Sequence, residues 1–146
     1  MNETNATLNI VLANTFVMYF KAHSYHWNVE GINFAQHHGF FGDLYEELYG
    51  VVDTAAEELR AQDEYAPVSI MALLKSATIE EDEAKPETAV DMFQNLLTAN
   101  GEVVNSLNKL FEVATAANKQ GLADFAAARL DVHAKHGWML RSHLKG

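Results

Sequence analysis

Residues 33–62, NFAQHHGFFGDLYEELYGVVDTAAEELRAQ, carry two helical stripes side by side. Phe34, Phe41, Leu44, Leu48, Val51, Ala55 and Leu59 recur at helical spacing and make the stripe that faces a core. Asn33, with Gln36 three residues on, has the pattern of a capping box, which starts the helix at Phe34. The second stripe holds His38, Gly42, Tyr45, Tyr49, Asp53 and Ala56, with Glu57 one turn beyond Asp53. It is too apolar and aromatic to face only water. Either the tyrosines broaden the core face, or the stripe meets another subunit. The second reading has the better physical footing, because a monomer seldom leaves a large apolar stripe exposed. Gly42 costs this helix about 1 kcal/mol relative to Ala, and a close approach of another helix would explain it.

Apolar spacing over Leu8, Val11, Leu12, Thr15, Tyr19, Ala22 and His26 predicts a helix before this one. Residues 28–32 break the pattern and read as a loop. On the other side, residues 63–85 are interrupted by Pro67 and hold one short periodic piece, residues 69–74. That is a long connection with a small helix, and connections of this length usually have a packing or assembly role. Its acidic run, Glu80 to Glu83, reads as a solvated segment. A third long helix is expected over about residues 88–117, on Ala89, Phe93, Leu96, Leu97, Val104, Leu107, Phe111 and Ala114. Lys119-Gln120-Gly121 reads as a turn, and a fourth helix follows over residues 122–144. No stretch alternates long enough to make a strand. The fold class is therefore all-α: a ferritin-like four-helix bundle whose long crossover carries a short helix between the second and third helices.

The chain has 146 residues, enough for one domain, 1–146, and not for two. Its net charge of −10 argues against holding DNA by neutralising phosphates. Cysteine is absent, which removes disulfides, thiolate metal sites and cysteine nucleophiles. No apolar run is long enough to span a membrane. The first residues have no basic region of the kind that opens a secretory signal, so the expectation is a soluble protein of the cytoplasm, and the two Asn-x-Thr matches near the start read as chance.

The polar residues of the second stripe carry the chemistry. Asp53 and Glu57 stand four apart on one helix face, so both carboxylates can reach one cation. His38 lies on the same stripe, fifteen residues from Asp53, or roughly 22 Å along the axis. One helix cannot bring both to a single ion. A twofold axis near Tyr45 and Glu46 can, if the helix pairs antiparallel with its symmetry mate. His38 of one subunit then faces Asp53 and Glu57 of the other, and His26 can join from across the loop. Imidazole with carboxylate suits iron, zinc or manganese, and suits calcium poorly. The ordinary alternatives stand beside this: an Asp/Glu pair on a helix is commonly a solvated face, and a histidine near a loop is commonly a hydrogen-bonded structural residue. His23-x-x-His26 and His133-x-x-His136 are competing turn-spaced pairs. Glu-x-x-His occurs nowhere, so a di-iron site with all ligands inside one bundle is not supported.

These residues resemble a known family. His26-Trp27-Asn28-Val29-x-Gly31-x-Asn33-Phe34, then His38, then Asp53-x-x-Ala56-Glu57, is similar to the signature of the Dps proteins, or miniferritins. Pro67-x-Ser69 with Leu73-Leu74 fits the family's short connecting helix, and Trp138-Met139-Leu140-Arg141-x-x-Leu144 fits the end of its last helix. The resemblance covers nearly the whole chain. It implies a hollow shell of twelve subunits that binds ferrous iron between twofold-related chains, oxidises it with peroxide or oxygen, and stores ferric mineral. It implies ligands at His26 and His38 of one chain and at Asp53 and Glu57 of the other. It also implies that Trp27 intercepts oxidising equivalents beside the site, and it gives Asp124 a loose match to an acidic pore position.

Two departures matter. The family usually has an Asp four residues after the second His, and here that position is Gly42, with Asp43 turned about 100° away. The alternative to an active ferroxidase is therefore a shell or scaffold with weakened or lost activity that binds metal or partners passively. The second departure is the lack of Lys and Arg in residues 1–20, which with the overall charge makes DNA binding an unfavoured expectation.

Overall fold

The computed structural model describes residues 1–146. Its elements are α1 (Glu3–Asn28), α2 (Phe34–Ala61), α3 (Ile70–Leu74), α4 (Ala89–Ala116) and α5 (Gln120–Leu144). The four long helices form the bundle. The connection from α2 to α4 is the crossover, and α3 within it packs on α1. The all-α ferritin-like expectation holds.

Local chemistry sets the ends. α1 begins at Glu3, ahead of the apolar pattern, because the Asn2 side chain accepts from the Asn5 N–H at 2.7 Å. Ser69 and Thr88 cap α3 and α4 in the same way. The capping box at Asn33 does not form: its side chain makes no cap bond. Gly31, at φ 121°, turns the chain so that its own carbonyl accepts from the Phe34 N–H, and this backbone bond opens α2 instead. Two helices close through left-handed residues that are not glycine. Asp63 (φ 59°) follows α2 and Asn118 (φ 58°) follows α4, each with the six-to-one bond of a Schellman motif. The second turn thus lies at residues 117–119, and Gly121, expected in it, lies inside the first turn of α5.

One core runs the length of the bundle, from Leu8, Leu12 and Met18 on α1 through Phe41, Leu44 and Leu48 on α2 to Phe93, Leu96 and Leu107 on α4. The α2 core stripe is as expected except for Phe34, which is exposed at the end of the helix. On α4 the phase differs by one residue: Val103 and Leu110 are buried, while Val104 is half-buried and Phe111 exposed.

α1 packs on α2 and α4, and α4 on α5, whereas α2 and α5 stand wider apart and are bridged by long side chains. The crossover lies along α1 and is fastened by polar residues. The Asn14 side chain accepts from the backbone N–H groups of Thr78 and Ile79 and donates to the Thr78 hydroxyl. Asn9 donates to the Ser76 hydroxyl. Lys21, itself buried, pairs with Asp82 at 3.0 Å, and the Tyr25 hydroxyl donates to the same carboxylate. Burial and the bond to Asp82 push the Tyr25 phenol well above its usual range. The acidic run is therefore not a wholly solvated segment: Asp82 is anchored because a buried lysine needs a counter-charge.

Candidate metal site

The loop between α1 and α2 brings His26 and His38 together. Their rings stack at a centroid distance of 3.7 Å. His26 Nδ1–H donates to the main-chain carbonyl of His38 at 2.7 Å, and His38 Nδ1–H donates to that of His26 at 2.6 Å. A carbonyl only accepts, so Nδ1 of each ring must carry a proton, which leaves Nε2 as the ring nitrogen that can present a lone pair to a metal. Outer hydrogen bonds of this kind hold metal-ligating imidazoles in position. No hydrogen bond within the chain engages either Nε2.

Gly42 makes this packing fit. A Cβ there would sit 3.1 Å from Cε1 and Nδ1 of His26. The close approach expected at Gly42 is therefore met inside the chain, by the imidazole of α1.

Aromatic rings surround the pair. His23 stacks on Tyr45 at 3.7 Å and 5°, and its Nδ1 shares a hydrogen bond with the Tyr19 hydroxyl at 2.9 Å. His23 and His26 rings lie 6.2 Å apart, so their i, i+3 spacing does not make a convergent pair. Burial and then the neighbouring His26 lower the His23 pKa. Trp27 lies 4.1 Å from the His23 ring and is 57% exposed. Tyr49, packed on Tyr19, is 60% exposed. Tyr45 is half-buried against α1, so part of the second stripe does broaden the core, while Tyr49, Trp27 and Phe34 leave apolar surface open.

Asp53 and Glu57 are exposed further along α2 and make no ion pair in the chain. The structure thus brings His26 to His38 and keeps Asp53 and Glu57 apart from them. No three His, Asp or Glu side chains converge on a cation position within one chain. Asp124 is exposed near the start of α5.

A second polar cluster escaped the sequence reading. Arg129 on α5 is 8% exposed and forms a two-pronged pair with Glu47 on α2, at 2.6 and 2.8 Å. His136 Nε2 lies 2.8 Å from Glu47 Oε1. Arg129 also donates to His133 Nε2 at 3.0 Å, and His133 Nδ1–H donates to Asn100 Oδ1 at 2.8 Å. Burial raises the Glu47 carboxyl, but bonds from His136 and Arg129 outweigh it and bring its pKa down to about 2. Burial and the Arg129 charge lower the pKa of His133 to about 3, so that ring is neutral. The only sequence signal was His133-x-x-His136. Glu47 is distant in the chain and sits beside the α2 core stripe, where spacing does not separate it from the surface glutamates.

The ferritin-like domain family matches residues 5–146. The DNA protection during starvation protein of Brevibacillus brevis is 34% identical, over 94% of this chain and 92% of that one. General stress protein 20U of Bacillus subtilis is 31% identical, over 94% of each. Among solved structures, Dps from Bacillus brevis superposes with a TM-score of 0.92 at 33% identity, covering 97% of this chain and 95% of that one. Dps from Thermosynechococcus elongatus gives 0.95 at 26% identity, over 99% and 91%. With the fold, the crossover and the paired histidines in place, the chain belongs to the ferritin-like family, in its Dps or miniferritin branch.

Proposed function

We propose that this protein binds ferrous iron between twofold-related subunits, oxidises it with peroxide or oxygen, and holds the ferric product inside a hollow shell. The observation that supports this most directly is the reciprocal bonding of His26 and His38. Each ring is oriented through an Nδ1 proton, and nothing in the chain bonds to its Nε2. In this reading Asp53 and Glu57 of a neighbouring subunit supply the charge that two neutral imidazoles lack. Antiparallel pairing of α2 about an axis near Tyr45 also covers Tyr49 and Trp27. Carboxylates favour the ferric over the ferrous ion, so the same ligands that hold the substrate assist its oxidation. Two ferrous ions give one electron each to a peroxide, the O–O bond breaks, and two protons complete two waters. Trp27, beside the pair, stands where it could give up an electron to a stray oxidant. Zinc or manganese would suit the same donors.

The shell of twelve, the place of action in the cytoplasm and an iron-attracting role for Asp124 belong to the same proposal. Direct DNA binding does not, given the net charge of −10.

The test is ferrous oxidation with stoichiometric peroxide in wild type, His38→Ala and Asp53→Ala. The expected result is a fall of about tenfold or more in both variants. Equal rates in all three would remove the assigned site.

Gly42 supports a second reading, a shell whose site turns over slowly for want of one carboxylate. Gly42→Asp tests it directly. The added Cβ presses on His26 at 3.1 Å, so the ring must yield by a few tenths of an ångström. A gain in iron affinity and rate marks an incomplete site. No gain, with His26 still in place, favours a structural role.

A further inference from the structure

The candidate ligands His26 and His38 are joined by ring contacts to a group of oxidisable side chains. His26 lies 5.3 Å from Tyr45, Tyr45 stacks on His23 at 3.7 Å, and His23 lies 4.1 Å from Trp27. Tyr19 packs against His23, Tyr45 and Tyr49, at 5.6, 6.2 and 5.1 Å between ring centroids. One phenol of this group is chemically set apart. A phenol that loses an electron becomes a strong acid and must shed its proton, so it is oxidised readily only with a base in hydrogen-bond reach. The Tyr19 hydroxyl has no other partner in the chain and donates to His23 Nδ1 at 2.9 Å. The hydroxyls of Tyr45, Tyr49 and Tyr65 have no acceptor in the chain. Tyr25 has one, Asp82, but that carboxylate is already paired with Lys21, and the only ring against Tyr25 is Phe41, which is not readily oxidised. His23 is thus both the base for Tyr19 and the ring on which Trp27 and Tyr45 converge.

We propose that Tyr19 is a redox-active tyrosine: it gives one electron to an oxidant arising beside the His26–His38 pair and passes its phenolic proton to His23 Nδ1. This rests on the iron chemistry proposed above, and it supplies what that chemistry lacks when only one ferrous ion is bound, as at a site short of one carboxylate. A single ferrous ion gives one electron to peroxide. The O–O bond breaks, and with one proton the products are a ferric ion, a water and a hydroxyl radical. That radical takes an electron from Tyr19, by way of Trp27 or Tyr45, and a proton from solvent, and becomes water. Tyr19 is left as a neutral phenoxyl radical and His23 as an imidazolium. A second ferrous ion, arriving later, gives its electron to the phenoxyl, and the proton returns from His23. The sum is that of the paired reaction: two ferrous ions and two protons consumed for each peroxide.

The relay is tested first without iron. In the full chain carrying Trp138→Phe, Trp27 is the sole tryptophan, and azide radicals made by pulse radiolysis oxidise it. Its radical should pass to tyrosine at a rate independent of protein concentration. Tyr19→Phe keeps the ring and removes the hydroxyl, and should slow that transfer about tenfold or more. His23→Gln keeps an acceptor but not a base, and should slow it similarly and weaken its solvent deuterium effect. Tyr65→Phe should leave it unchanged. Transfer as fast as the parent's in either Tyr19→Phe or His23→Gln overturns the proposal. With ferrous ion and peroxide, the freeze-quenched chain should show a tyrosyl radical by electron paramagnetic resonance, and Tyr19→Phe should lack it. Ferrous oxidation with a radical that persists in Tyr19→Phe removes this inference and spares the iron reading. No ferrous oxidation in either chain, with Tyr19-dependent transfer intact under azide radicals, removes the iron reading and spares the relay.

Discussion

The histidines of α1–α2 and those of α5 meet opposite fates. On α5, His133 and His136 are tied into a closed circuit with Glu47, Arg129 and Asn100, and every charge has its counter-charge inside the chain. At the α1–α2 turn, His26 and His38 are held as firmly, but only by backbone carbonyls, which bring no net charge. The first arrangement is complete in one subunit. The second leaves both Nε2 atoms without a partner and has no acid beside it. Residue type alone does not separate a structural histidine from a ligand. What separates them is whether the lone pair has been used.

The largest expected effect tests that contrast head-on. Glu47→Ala leaves a guanidinium buried without its carboxylate and should cost about 3–5 kcal/mol of stability. His38→Ala, at a half-buried ring, should lower stability by roughly 1 kcal/mol or less while reducing iron oxidation strongly. Chemical denaturation of both variants beside an oxidation assay reads the two together. If His38→Ala unfolds the chain while Glu47→Ala spares it, the contrast is inverted.

Acid should act on the closed circuit next. His133 has a folded pKa of about 3 against an ordinary 6.5, so below 6.5 the unfolded chain takes up a proton that the folded one refuses. Glu47, at about 2 against 4.5, behaves alike at lower pH. Stability carried by both is therefore full above pH 6.5 and is lost as pH falls towards 3 and then 2. Melting curves from pH 7.5 to 4 should show a steady decline. In His133→Asn the slope should shrink by about one proton per chain. Identical slopes in the two proteins would mean that His133 is not held neutral.

Asn14→Ala comes third. It frees two backbone N–H groups and a hydroxyl of the crossover, at a cost of about 1–3 kcal/mol. Hydrogen exchange at Thr78 and Ile79 should quicken ahead of the bundle core, and unchanged protection there would show that the fastening lies elsewhere. The smallest effect belongs to Gly42→Ala. Gaining helix propensity of about 1 kcal/mol offsets the pressure on His26, so stability should stay within about 1 kcal/mol. Iron affinity should nonetheless drop as the ring shifts, and unchanged affinity would mean that the seat of His26 is not critical.

Much of this fold could be read from spacing. α2 and α4 each bury one main face, and their stripes have the helical period. On α4 the spacing leaves the phase open by one residue, because Val103-Val104 and Leu110-Phe111 offer two apolar choices each. Apolar spacing shows α1 only from Leu8, because its start depends on the Asn2 cap. The turn after α4 lies earlier than Gly121 suggests because Asn118, not a glycine, takes the left-handed conformation there, as Asp63 does after α2. Of the candidate site, the residue types and the dyad argument came from the chain itself. The mutual carbonyl bonds could not, because they depend on how the Gly31 turn sets one helix end against the next. Glu47 and Arg129 pair across helices distant in the chain, and nothing local in either helix marks the partner.

Lys21 and Arg129 are two of the ten lysines and arginines in the chain, and both are turned inward against Asp82 and Glu47. The exterior is accordingly poorer in mobile cations than the residue count implies. A polyanion approaching the molecule would meet a skin from which two potential anchors have been withdrawn, whereas small metal cations would meet acids that are still free to receive them.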